Sequence, residues 1–251
     1  MIICTLASGS DGNAVLIGYK STYLLVDAGI SAKRVNKALW ELGVSDIDCV
    51  LVTHEHSDHI SGLSVLKKDV YAAPHTAWAV REGAPHLRIR EITGDFSVGE
   101  IDVTPFGTPH DTPDSLGFLF HLGGFRVCVC TDLGHVTRTV LDHACRADCL
   151  LIESNHDEAM LRAGRYPAFL KERILGPNGH LSNDASAGVA LAAARNGTRY
   201  ITLCHLSKDN NRPDIAERTA AQRLSERGIA AGRDVRLSVA PRGMAGDALR
   251  L

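Results

Sequence analysis

The chain alternates short, almost wholly apolar runs with longer stretches in which apolar residues recur every three to four positions. Ile2–Leu6, Ala14–Ile17 and Tyr23–Val26 read as three successive strands, parted by the Gly, Ser, Asp and Asn residues that favour tight turns. Next comes a helix from a Ser31 cap to Leu42, with Val35, Ala38, Leu39 and Leu42 on one face and Gly43 to end it. Asp48–Thr53 reads as a buried strand, the last before a long stretch with little pattern. Ile101–Phe106, Leu116–His121 and Arg126–Thr131 are further strands, the last two joined by a Gly123-Gly124 hairpin turn. Helices are expected over Thr137–Cys145, Ser182–Arg195 and Pro213–Arg227, and strands over Cys149–Ile152 and Tyr200–Leu203. Sheet, helix, sheet, helix predicts an α/β fold with two sheets face to face and helices outside. That is a four-layer αββα sandwich, forming one domain over residues 1–251.

Composition adds limits. With 45% hydrophobic and 22% charged residues over 251 positions, the chain can bury a real core, which excludes a disordered protein. A net charge of −2 gives no global positive field to attract nucleic acid. Residues 195–251 hold 11 Lys and Arg against 6 Asp and Glu, a local +5. That excess suits either a polyanion footprint or the solvated faces of the last helices. The seven cysteines form no zinc-knuckle pair and no Cys-x-x-Cys, and Cys128 and Cys130 fall inside an apolar strand. They read as reduced thiols of a cytoplasmic protein. The N-terminus lacks a basic leader, and no apolar run reaches membrane-spanning length, so no membrane partner is expected.

The 12 histidines change the picture most. Thr53-His54-Glu55-His56-Ser57-Asp58-His59 places three imidazoles and an aspartate in a tight loop behind a buried strand. These are ordinary ligands of zinc and related cations, and this spacing lets His54 and His56 reach one metal while Asp58 and His59 reach another. Asp27, His54, Asp132, Glu153 and His205 each follow an apolar run, the usual place for residues that a rigid sheet holds toward open space. Ser8-Gly9-Ser10-Asp11-Gly12-Asn13 suits either an anion-binding loop, with Ser8, Ser10 and Asn13 as contacts, or a structural turn. Gly179-His180-Leu181-Ser182-Asn183 enters a helix that Ser182 or Asn183 could cap, a purpose for which His180 is not needed. His180 could pair with Glu153 and donate a proton to a leaving oxygen. His156 is near enough in sequence to join that pocket. Arg165–Arg173 reads as a helix with a solvated basic face.

His-x-His-x-Asp-His after a strand, with Leu25-Val26-Asp27-Ala28-Gly29 before it, resembles the signature of the metallo-β-lactamase superfamily. Thr108-Pro109-His110-Asp111, Thr131-Asp132-Leu133-Gly134 and Leu203-Cys204-His205-Leu206-Ser207 match its remaining motifs in order. The resemblance implies two divalent metal ions. His54, His56 and His110 would hold one, and Asp58, His59 and His205 the other, with Asp132 bridging and Asp27 orienting a ligand histidine. His56 stands where redox di-iron members carry Glu, which favours hydrolysis with zinc or manganese while leaving iron open. The ensemble of Ser-Gly-Ser-x-Gly-Asn, Glu-Ser-Asn-His-Asp, Gly-His-Leu-Ser-Asn and Cys-His-Leu-Ser-Lys-Asp-Asn-Asn is similar to the YycJ (WalJ) group, itself related to ribonuclease Z-type nucleases. This implies a 5′-to-3′ exonuclease acting on DNA, in which metal-activated hydroxide attacks a phosphodiester. Asp58, Glu153 and His180 would be catalytic, and Ser182, Asn183, Lys208 and Asn211 would join the loop residues in binding substrate. The motif spacings leave no room for the cap domain of ribonuclease J or the arm of ribonuclease Z. A small-molecule ester, thioester or lactone hydrolase of the glyoxalase II type is the alternative, but it gives Glu153 and His180 no particular task.

Overall fold

A computed structural model describes residues 1–251. One sheet pairs β1 (Ile2–Ala7), β2 (Ala14–Tyr19), β3 (Thr22–Val26), β4 (Cys49–Leu51), β5 (Asp69–Ala72) and β6 (Ile89–Glu91) in chain order. The other pairs β7 (Phe96–Val98), β8 (Ile101–Gly107), β9 (Leu116–Leu122), β10 (Phe125–Cys130), β11 (Cys149–Glu153), β12 (Tyr200–Cys204) and β13 (Arg236–Val239), also in chain order. The short β14 (Leu249–Arg250) returns to the free edge of β1. Both sheets begin antiparallel and turn parallel, at β3–β4 and at β10–β11. Parallel strands present their C-terminal ends along a common edge, where sites in α/β proteins collect.

The helices are α1 (Ala32–Leu42), α2 (Ser57–Ile60), α3 (Leu63–Leu66), α4 (Pro74–Gly83), α5 (Arg138–Ala144), α6 (Glu158–Ala163), α7 (Ala168–Leu175), α8 (Asn183–Arg195) and α9 (Pro213–Ser225). Val35 and Leu39 of α1 and Val80 of α4 bury against the outer face of the first sheet. Val140 of α5, Ala190 of α8 and Ala220 of α9 do so on the second. Between the sheets lies a third buried layer, including Leu24, Val26, Phe118, Phe120, Val127 and Val129. Successive strand residues point to opposite faces, so Leu25 joins the outer layer while its neighbours Leu24 and Val26 face the other sheet. Because both faces are covered, these strands are apolar without alternation, and the expected αββα sandwich is the fold.

The structure departs from the sequence expectations in places. The strand expected over Asp48–Thr53 shortens to Cys49–Leu51, and Thr53 N–H instead donates to the Asp27 carboxylate at 2.8 Å. Ser31 occupies the N-cap position of α1, but its hydroxyl accepts no helix N–H, while Gly43 ends the helix in the left-handed conformation. The patternless stretch after residue 60 folds as β5, α4, β6 and β7; its strands run only three or four residues, and the ten-residue α4 carries an exposed Trp78 among its polar positions. The histidine motif is partly helical, with one turn over Ser57–Ile60. At the hairpin, Gly123 and Gly124 both have positive φ, 61° and 102°, as a two-residue turn requires. No helix is long and apolar enough to cross a membrane.

All seven cysteines are free, and only Cys145 is not buried. Burial pushes the thiols of Cys49, Cys149 and Cys204 up to about 12, far from the reactive thiolate. An aromatic-disulfide titration of the folded protein should therefore read about one rapidly reacting thiol, and seven only after unfolding. Fast reaction of several thiols in the native state would contradict this packing.

Candidate active site

Asp27 directly follows β3, Asp132 lies just past β10, Glu153 ends β11 and His205 directly follows β12, so all stand at one edge of the sandwich. Asp27, Asp132 and His205 have left-handed backbones, with φ of 60°, 60° and 55°. Aspartate and histidine are among the few non-glycine types that tolerate this region. The sharp turn at each strand end lets one residue both leave the sheet and project its side chain over it. Strain of this kind collects at functional sites.

The 54–59 segment is pinned by backbone. Asn13 N–H donates to Asp58 O at 2.8 Å, and Ala28 N–H to His59 O at 2.7 Å. The approach is so close that a Cβ on Gly29 would lie 1.5 Å from Asp58 O, so only glycine fits there. Asn13 also holds the segment by its side chain, with Nδ2 3.2 Å from Asp58 Oδ2 and Oδ1 accepting from Gly9 N–H at 2.9 Å.

Most of the rings are fixed through Nδ1. His59 Nδ1 meets Asp27 Oδ2 at 2.8 Å, His54 Nδ1 meets the Thr53 hydroxyl at 3.0 Å, and His110 Nδ1 meets Gly179 O at 3.2 Å. Glu153 serves two rings, accepting from His180 Nδ1 at 2.7 Å and His205 Nδ1 at 2.9 Å on the same oxygen. Its other oxygen accepts the N–H groups of Leu133 and Leu181 at 2.8 and 3.0 Å. Burial alone would raise the Glu153 carboxyl; the two rings more than offset this and hold it down at about 2.

With Nδ1 engaged, the Nε2 atoms turn inward. His110 Nε2 lies 3.4 Å from His56 Nδ1, and Asp132 reaches His59 Nε2 at 3.4 Å with Oδ2 and His205 Nδ1 at 3.2 Å with Oδ1. His54, His56 and His110 bring one donor atom each within 4.8 Å of one another, as do Asp58, His59 and His205. Nε2 of His54, Nε2 of His205 and Oδ2 of Asp132 are buried and make no hydrogen bond within the chain, although His205 Nε2 lies 3.6 Å from Asp58 Oδ2. Buried polar atoms without partners cost about 1–3 kcal/mol each, so several in one place mark a missing partner. Imidazole nitrogen and carboxylate oxygen, aimed at common points, fit divalent metal ions.

A β-lactamase superfamily domain matches residues 22–206. The exodeoxyribonuclease YycJ of Bacillus anthracis is 40% identical over 244 residues, covering 90% of each chain. The exodeoxyribonuclease WalJ of Streptococcus pneumoniae is 37% identical over 246 residues, covering 92% of this chain and 91% of the relative. The chain belongs to the β-lactamase superfamily. Among solved structures, the metallo-β-lactamase fold protein YhfI of Bacillus subtilis superposes with a TM-score of 0.72 at 16% identity, covering 98% of both chains. Zinc-bound PqqB of Methylobacterium extorquens gives 0.71 at 19%, covering 98% of this chain and 100% of the other. At such identities the likeness is one of fold.

Around this superfamily site, several side chains expected to touch substrate are placed differently. Ser8 lies beneath His205, its hydroxyl accepting the His205 N–H at 2.7 Å. Asn13 is buried and spent on Asp58 and Gly9. Ser182 caps α8, accepting from Ala185 N–H. Asn183 and Asn211 are buried and bond each other, with Asn183 also taking the Ser154 hydroxyl and Asn211 the carbonyls of Ser154 and Asn155. These short polar side chains are drawn to unpaired backbone near strand and helix ends, which is a framing task. Ser10 does line the cavity, and Lys208 is exposed next to Ser207, which also lines it. His156 is buried and stays out of the lining. Of the expected basic face over Arg165–Arg173, Arg165 and Arg173 are exposed, but the helix begins only at Ala168, Tyr166 and Arg173 also wall the cavity, and Arg173 pairs with Asp111. Only proximity in the folded chain reveals that pair.

Two outcomes test the arrangement. Asp27→Asn and Glu153→Gln keep side-chain size but weaken the grip on Nδ1, and each should lower metal affinity about 10- to 100-fold in chelator competition. Unchanged affinity would mean that these carboxylates do not orient the rings. Gly29→Ala should cost about 3 kcal/mol in denaturant unfolding, because Asp58 O cannot withdraw without moving the histidine segment. Wild-type stability there would contradict the close approach.

Proposed function

We propose that the chain is a two-metal phosphodiesterase, a 5′-to-3′ exonuclease of DNA that works in the cytoplasm as one domain over residues 1–251. His54, His56 and His110 would hold one metal, and Asp58, His59 and His205 the other, with Asp132 as a ligand shared by both sets and zinc or manganese as the native ions. The observation that carries the reading is His180: an imidazole paired with the buried Glu153 and 22% exposed at the wall of the same cavity as His56, Asp58, Asp132 and His205. A leaving-group proton donor beside a metal pair is what phosphodiester hydrolysis needs. The exodeoxyribonucleases matched over nine-tenths of the chain support the substrate class.

When bound, two divalent ions polarise the phosphoryl oxygens and make water a stronger nucleophile. The chain's own residues supply the rest. Asp58 faces the cavity with Oδ2 braced by Asn13 Nδ2, so it can accept a hydrogen bond from the attacking water and hold it in place. Glu153 keeps His180 Nδ1 protonated and stabilises the cationic ring, leaving Nε2 to pass a proton to the departing sugar oxygen. Glu153 touches no substrate, because its oxygens are filled by four N–H donors, so it is a positioning residue. The cavity, about 240 Å³ and walled largely by polar side chains, is small for a pocket that encloses a whole small molecule and suits a chain that continues past it.

The test offers end-labelled DNA, end-labelled RNA and a thioester to protein loaded with manganese or zinc. Release of nucleotides from the 5′ end of DNA is expected. Thioester turnover without nucleic-acid cleavage would overturn the proposal in favour of a glyoxalase II-type hydrolase. His180→Ala should retain its metals while losing about 10²- to 10⁴-fold in kcat. An unchanged kcat would remove His180 from the mechanism.

A further inference from the structure

The helix α7 walls the cavity with Leu170, Arg173 and Ile174, and Tyr166 stands just before it. Arg173 is the only lysine or arginine in that lining, among the carboxylates Asp58, Asp111 and Asp132. Its Nε donates to Asp111 Oδ2 at 2.7 Å and Nη2 reaches the same oxygen, while Nη1 makes no hydrogen bond within the chain. The side chain is 58% exposed. A guanidinium anchored on one edge and open on the other is prearranged for a phosphate oxygen. Asp111 ties it to the reaction centre, since Oδ1 lies 3.3 Å from His110 Nε2 and 3.5 Å from His56 Nε2. One turn earlier on the same helix edge, Phe169 is 70% exposed. An aromatic ring and an arginine one turn apart match the base and phosphate of an unpaired nucleotide, whereas the base of a duplex is already stacked.

Resting on the phosphodiesterase reading, we propose that this edge of α7 is the strand grip. Arg173 holds a phosphate next to the one being cleaved, and Phe169 stacks on an unpaired base. The substrate end is therefore single-stranded where it enters the site. Asp111 positions the guanidinium.

The test measures steady-state cleavage of a 5′-phosphorylated single-stranded DNA oligonucleotide by the manganese-loaded protein from 50 to 200 mM salt. Both side chains are exposed, so Arg173→Ala and Phe169→Ala should keep wild-type metal content and melting midpoint. Arg173→Ala is expected to raise KM about tenfold, change kcat less than threefold and lower the salt slope of log kcat/KM by about 0.7, one phosphate contact on a single strand. Arg173→Lys should restore the slope but not the whole of KM, because lysine lacks the fork that Asp111 anchors. Phe169→Ala should raise KM at least fivefold on single strands and leave the slope unchanged. Wild-type KM and slope in both alanine variants would overturn the grip while leaving the nuclease reading intact. So would a kcat loss at constant KM, which would reduce Arg173 to a prop for Asp111. A wild-type protein that cleaves no DNA would bring down both.

Discussion

The site depends on one repeated interaction: a histidine Nδ1 held by an acceptor that the backbone itself holds. An imidazole has two nitrogens at a fixed angle, so immobilising one decides where the other points. Asp27 grips His59 while Thr53 N–H grips Asp27, and Glu153 grips His180 and His205 while Leu133 and Leu181 N–H grip Glu153. Asp27 and Glu153 each end or directly follow a strand buried on both faces. Rigidity therefore passes from packed sheets through two carboxylates to the Nε2 atoms, over a path too short to accumulate error. Loops alone would not hold donor atoms to the fractions of an ångström that metal geometry demands.

The same arrangement makes the metal-free site expensive. Asp27, Asp132, Glu153, His54, His59, His110 and His205 are all under a tenth exposed, and ionised groups out of water are tolerated only when paired. Asp132 stands among four rings, yet its Oδ2 accepts no hydrogen bond, and His54 Nε2 and His205 Nε2 likewise make none. Cations placed among these atoms would convert three unmet costs into ligand bonds. Metal loading and fold stability are linked by mass action for the same reason, since only the folded chain assembles the donor set.

Much of this was legible in the sequence. Apolar runs such as Leu24–Val26 and Val127–Cys130 announce strands because burial on both faces removes polar alternation, and a polar residue at the end of such a run marks the site edge. The His54–His59 cluster is legible because its spacing is local. What escaped is what forms only across the fold. Asn183 and Asn211 look like substrate contacts on paper, but 28 positions apart they close on each other and on the backbone of Ser154 and Asn155. Ser8 finds the His205 N–H from 197 positions away. Arg173 and Asp111, 62 positions apart, carry no shared pattern at all. The β5–α4–β6 region escaped because its strands run only three or four residues and the ten-residue α4 sets an exposed Trp78 among its polar positions, blurring the apolar face.

The segment that carries α6 and α7 is inserted between Glu153 and His180, which pair through His180 Nδ1 at 2.7 Å. Its return to the site is tight: His180 N–H donates to Ile174 O at 3.0 Å, and a Cβ on Gly179 would fall 2.2 Å from that same carbonyl. A Cβ on Gly134, two residues past Asp132, would likewise meet Pro177 O at 2.1 Å. The end of α7 is thus clamped on one side to the backbone of His180 and on the other to the loop that bears Asp132. A wall held this way cannot drift relative to the chemistry it borders. The cavity-facing side of α7, with Leu170, Arg173 and Ile174, is thereby held in a fixed register with His180.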